Sequence, residues 1–118
     1  MTLRGTHEKP VYIRISEVIA DAILAGQYSD GDSLPSVRAL AAEQGANPLT
    51  VAKAYQGFQD AGLIVVKRGV GLFVAPGART KLRATERDRF IKTEWPAVAA
   101  RMAQLGIDPA HLLSGELA

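Results

Sequence analysis

Ser36, Arg38, Asn47, Leu49, Thr50 and Lys53 lie within eighteen positions of one another. Apart from Leu49, they are short hydrogen-bonding side chains and two cations. A guanidinium presents a planar fork that meets a guanine edge or a phosphate with two bonds, and an ammonium on a flexible stem reaches a single backbone oxygen. Each residue alone has a plainer reading, since Ser36 and Asn47 are ordinary helix caps and Arg38 and Lys53 ordinary surface charges. As a set on neighbouring helix starts they suit a polyanion, because helix amino ends offer free amides and a positive dipole to phosphates. A second group, Lys67, Arg68, Gly69 and Gly71, combines two bases with two turn-forming glycines. Such a tip can lie along a phosphate backbone or enter a minor groove, or its charges can merely keep a strand edge from pairing.

Other chemistries lack their residues. The chain has no cysteine and only two histidines, His7 and His111, so thiolate metal sites, disulfides and a cysteine nucleophile are excluded and no metal site is expected. Neither histidine has a nucleophile or carboxylate placed beside it to form a catalytic pair. Gly69-Val70-Gly71 is half of a nucleotide-binding glycine fingerprint, but a strand pattern follows it where that site needs a helix. No catalytic residue and no cofactor are expected, and the chain does not read as an enzyme.

The elements that must position these residues follow from apolar spacing. Tyr12, Ile15, Ile19, Ala22 and Ile23 recur at helical steps and Gly26 ends them; Gln27 to Ser33 reads as a connecting loop. Ser36 caps a short second helix with Val37, Leu40 and Ala41 inward, ending at Gln44 and Gly45. Asn47 caps a third, with Pro48 at its first position and Val51, Ala54, Tyr55 and Phe58 inward, ending at Gly62. Two helices joined by about three residues around a glycine form a helix-turn-helix. Leu63–Val66 and Leu72–Val74 then read as strands joined by a turn from Lys67 to Gly71. The expected fold is mainly α with a small β-hairpin: a winged helix-turn-helix over residues 1–77, followed by a short helical tail over 78–118.

That tail opens with Arg79, Lys81, Arg83, Arg87, Arg89 and Lys92 against Glu86 and Asp88. Trp95, Val98, Met102 and Leu105 follow at helical spacing, and Leu112 and Leu113 lie in a last short helix after Gly106. Pro96 is expected to begin a helix or kink a longer one. About forty residues cannot cover both faces of their own helices, so these six apolar residues are expected to form a self-complementary homodimer surface.

The order Pro10-Val11-Tyr12, Gly26, Gly31-Asp32, Leu34-Pro35-Ser36-Val37-Arg38-Ala39-Leu40-Ala41, Asn47-Pro48, Thr50-Val51, Ala54-Tyr55, Gly62-Leu63-Ile64 and Gly69-Val70-Gly71-Leu72-Phe73-Val74 resembles the amino-terminal winged helix of the GntR family of bacterial transcription regulators. The Asn-Pro-x-Thr-Val-x-Lys-Ala-Tyr wording and the short tail look like its YtrA-like subfamily. The resemblance implies a tail of paired helices that dimerises, and members that often regulate transporter genes. It also implies DNA contacts at Ser36, Arg38, Asn47, Pro48, Leu49, Thr50, Lys53 and around Arg68, Gly69 and Gly71. The sequence departs from the family pattern at Ala46, Leu49 and Leu72; Leu49 replaces a polar contact or turns it into apolar contact with a thymine methyl group.

The chain has 118 residues, a net charge of +2, 47% hydrophobic and 22% charged residues, which suits one compact domain with an appendage. No apolar run reaches the length of a membrane span and the first ten residues carry no signal peptide pattern, so a cytoplasmic protein without membrane contact is expected. The function expected is a sequence-specific DNA-binding regulator, a repressor holding a palindromic operator as a homodimer. The alternative is a winged-helix interaction module docking an acidic protein. Whether an effector exists is not legible, and any effector pocket is expected between subunits because the tail is too short to enclose one.

Overall fold

The computed structural model describes residues 9–115. Within it the chain divides into two compact units, the first ending at Arg83 and the second beginning at Ala84. The first unit opens with α1 (Val11–Leu24), α2 (Val37–Gln44) and α3 (Pro48–Asp60), followed by strands β1 (Ile64–Lys67) and β2 (Gly71–Val74) and the first turns of α4 (Ala78–Arg89). Ile15, Ile19 and Ile23 from α1 meet Leu40 and Ala41 from α2, Val51, Ala54 and Tyr55 from α3, and Ile64 and Val74 from the strands. Burying one such aliphatic side chain stabilises the fold by about 1.5–3 kcal/mol. The three helices are therefore set by one shared core, and their outward faces are set with it.

Helix boundaries follow the caps. The Ser36 hydroxyl accepts from the Ala39 amide at 3.0 Å and the Asn47 side chain from the Leu49 amide at 2.8 Å. Between them Gly45 sits at φ +62°, a left-handed conformation that lets the chain reverse in three residues; a side chain there would be strained. The strands pair antiparallel from Ile64 opposite Val74 to Lys67 opposite Gly71. The first strand is displaced by one residue from the expected span and the second begins one residue earlier, because Leu63 turns into the core and Lys67 pairs with Gly71 to complete the ladder.

Two further features differ from the sequence expectation. The segment before α2 is more than a connector: Ser33 bridges Phe73, Leu34 donates to the Leu72 carbonyl, and Val74 donates to the Asp32 carbonyl, so β2 gains a second, very short neighbour. At the other end, Ala78 and Leu82 are buried in the core cluster. The expected division after residue 77 thus stands before the first turns of α4, which pack with the winged helix.

The second unit holds the rest of α4, a wide π-helical turn at Phe90–Glu94, α5 (Trp95–Leu105) and α6 (Pro109–Leu113). Pro96 explains the wide turn. It has no amide proton to give to the Lys92 carbonyl, and one residue earlier the Trp95 amide donates five residues back, to Phe90. The helix absorbs the proline by loosening one turn. Gly106 ends α5 and Asp108 caps α6, accepting from the Ala110 amide.

Candidate nucleic-acid interface

On α3 the residues facing the core leave Leu49, Ala52, Lys53 and Gln56 outward. Leu49, in the first turn, is 79% exposed, so a large apolar side chain stands in water with little among the described residues to cover it. Lys53 is two positions beyond the buried Val51, and its ammonium lies 4.9 Å from the centre of the Tyr12 ring. That contact holds a long flexible cation near the start of α1 while leaving it exposed. Tyr12 was legible only as part of the inward face of α1; its second role appears because α1 and α3 pack side by side. Thr50 is half-buried, and Asn47 and Pro48 are exposed.

The amide supply differs from what the caps suggested. Pro48 has no amide proton, Leu49 donates to the Asn47 side chain, and Thr50 and Val51 donate to the Asn47 carbonyl, so the first turn of α3 has none to spare. At α2, by contrast, the amides of Val37 and Arg38 have no acceptor among the described residues. An anion approaching the helix-turn-helix finds its free amides at α2, beside the exposed Arg38.

Ser36 and Val37 share an open trough with Lys67, Arg68, Gly69, Val70 and Gly71 from the hairpin. Among the described residues the charged groups lining it are Lys67 and Arg68, with no carboxylate. Lys67 lies 4.7 Å from the centre of the Phe73 ring, which props its stem against the hairpin. The Val70 amide donates to the Lys67 carbonyl at 2.8 Å and Gly69 sits at φ +76°, the conformation required at the third residue of a type II turn. The turn pushes Val70 out to 72% exposure. Val70 thus stands as an exposed apolar residue between two turn glycines.

Tyr55 fixes the spacing of these parts. Its hydroxyl donates to the Pro35 carbonyl at 2.7 Å, tying α3 to the residue before the α2 cap. Burial pushes this hydroxyl's pKa well above its ordinary value, and the charges of Tyr28 and Glu43 push the same way. It stays a neutral donor throughout the physiological range.

The structure thus gathers Ser36, Lys67, Arg68, Gly69 and Gly71 in one trough and sets Asn47, Leu49 and Lys53 on the outward part of α3. Residues 11–74 match the model of the family described as bacterial regulatory proteins, gntR family. The chain belongs to the GntR family. It is 35% identical over 108 residues to the HTH-type transcriptional repressor YtrA of Bacillus subtilis, spanning 92% of this chain and 76% of that one. Its fold matches a GntR family transcriptional regulator from Listeria monocytogenes with a TM-score of 0.73 and 29% identity, covering 93% of this chain and 95% of the other. The DNA-binding domain of AraR in complex with an operator matches at a TM-score of 0.59 and 27% identity, over 64% of this chain and 90% of that domain. This GntR-family chain, of the YtrA-like type, is a DNA-binding transcription regulator and not an enzyme. No helix among the described residues is long and apolar enough to cross a membrane.

The tail residues are distributed less evenly than their spacing suggested. Trp95, Val98, Leu105, Leu112 and Leu113 are exposed, but Met102 is only 9% exposed and serves as packing. Phe90, Ile91 and Ile107 are exposed as well, which the sequence pattern had not singled out. Arg89 pairs with Glu86 and Lys92 with Asp88, so part of the basic run is answered on its own helix. His111 is exposed, 3.9 Å from Asp108; His7 lies outside the described residues.

Proposed function

We propose that this GntR-family regulator acts in the cytoplasm as a homodimeric repressor, binding a two-fold symmetric operator. The start of α3 enters the major groove, where Leu49 meets a thymine methyl group and Asn47 and Thr50 lie close to base edges. Arg38 and the free amides of α2 take phosphate or a guanine edge, Lys53 takes a backbone oxygen, and the hairpin tip follows the adjacent backbone or minor groove. The observation that carries this reading is the trough that joins the α2 cap to Lys67 and Arg68 with no carboxylate among the described residues. The AraR domain, similar in fold and in complex with an operator, supports operator DNA as the partner.

Pairing is assigned to the tail. Eight large apolar side chains from Phe90 to Leu113 are exposed, and a second copy would cover them across a two-fold axis. Titration of the full chain against the duplex upstream of its own gene, at several salt concentrations, tests the reading. Log affinity should fall linearly with log salt, Lys53→Ala should reduce that slope by about one, and Arg38→Ala should cost about 1–3 kcal/mol if Arg38 reads a base. Absence of salt-dependent binding at low salt would favour the docking of an acidic protein instead.

A further inference from the structure

A cavity of about 400 Å³ opens in the winged helix, lined by residues between Val18 and Tyr55. That volume falls in the range of small-molecule sites. Its walls are largely aliphatic, from α1, from Leu34 and Pro35 before α2, and from Leu40 within α2, and Tyr28 and Tyr55 line it too. Among the described residues the charged groups lining it are Asp21 and Glu43, with no lysine, arginine or histidine. Neither carboxylate has an ion-pair partner among the described residues. Two unanswered negative charges beside aromatic rings and an apolar wall select one ligand chemistry. A cation gains from both carboxylates, while an anion is repelled and a neutral molecule gains only the wall. The chain's own net charge of +2 provides no general attraction for cations, so selectivity would have to come from this site.

We propose that this cavity binds a small organic cation, a protonated amine or quaternary ammonium on an apolar frame, and couples its binding to that of operator DNA. The coupling rests on the function proposed above. Pro35 and Tyr55 both line the cavity, and the hydrogen bond between them joins α3 to the α2 cap. A ligand wedged against that pair acts on the spacing between Arg38 and the first turn of α3. The site lies inside one copy of the chain, so an effector does not need the intersubunit pocket expected from the short tail.

The test is calorimetric titration of the full chain with benzyltriethylammonium, with benzenesulfonate and neutral N-benzylacetamide as controls on similar frames. The cation should bind one per chain and about tenfold more tightly than either control. Asp21→Asn and Glu43→Gln should each weaken it about two- to fivefold, both side chains being exposed and dispensable for the core. Equal affinity for cation and controls, or an unchanged affinity in the double variant, would overturn the site. By reciprocity, saturation with the upstream duplex should shift cation affinity by about fivefold or more. Equal affinities with and without DNA would overturn the coupling. DNA binding is measured separately, so failure of the cation site and failure of the operator reading are distinguishable.

Discussion

Replacing Tyr55 by Phe keeps the ring in the core and deletes one donor. The parent side chain is 3% exposed and its hydroxyl sits 2.7 Å from the Pro35 carbonyl. A hydrogen bond of this kind contributes about 0.5–1.5 kcal/mol net, and stranding a buried acceptor adds to the loss. Pro35 is only half-buried and water can partly replace the donor, so the expected cost at neutral pH is about 1–2 kcal/mol, or roughly 5–10 °C in melting temperature. Burial supplies an independent check. The folded chain holds the Tyr55 proton above the ordinary tyrosine value, while the unfolded chain releases it near pH 10. The unfolded state then binds fewer protons, so stability is fully present below about pH 9 and falls as pH rises. From about pH 9 to about pH 11 this one group removes about 1.4 kcal/mol from the parent and nothing from Tyr55→Phe. Urea unfolding of both proteins across that range is the assay, and their difference isolates Tyr55 from the two other tyrosines. The gap between them should narrow as pH rises. Equal stability at neutral pH, or parallel loss of stability in alkali, would refute the assigned role of Tyr55.

Three other perturbations probe separate parts. Asn47→Ala removes the α3 cap and should cost about 1 kcal/mol of stability in denaturant unfolding; no loss would mean that the cap is not needed. Gly69→Val forces a branched residue into a left-handed conformation at a cost of about 1–3 kcal/mol confined to the hairpin tip, where an added Cβ meets nothing within 4 Å. Its DNA affinity should drop while the helical circular dichroism stays the same, and unchanged affinity would remove the tip from the interface. Leu105→Glu places a charge on a residue 54% exposed in the single chain, so sedimentation should show a folded monomer at micromolar concentration; a persistent dimer would move the pairing surface elsewhere.

Much of the frame was readable because its signals are local. Ser36, Gly45, Asn47 and Pro48 state the helix-turn-helix almost residue by residue, and Val51, Ala54 and Tyr55 state which side of α3 faces inward. What escaped depends on contacts between distant segments. Ser33 pairs with Phe73 through one bridge, too short to leave an alternating pattern. The free amides could not be assigned to α2 rather than α3 until the Asn47 carbonyl and side chain were seen to take three of the latter. Pro96 announced a disturbance, but only the Phe90 to Trp95 bond shows how the helix absorbs it. Tyr12 and Lys53 are forty-one positions apart, and the ring contact exists because α1 packs on α3. The cavity beside Tyr28 likewise arises from how the α1–α2 loop folds back.

Footprinting of the purified chain on the duplex upstream of its own gene tests the central claim most directly. The account predicts two protected half-sites related by a two-fold axis, centred about 10–10.5 base pairs apart or at a multiple of it. The protection should vanish in the Arg38→Ala, Lys53→Ala double variant while its fold persists. Protection that survives this double variant, or a duplex left unprotected at low salt by the parent chain, would contradict the assignment of the α2, α3 and hairpin surface to DNA.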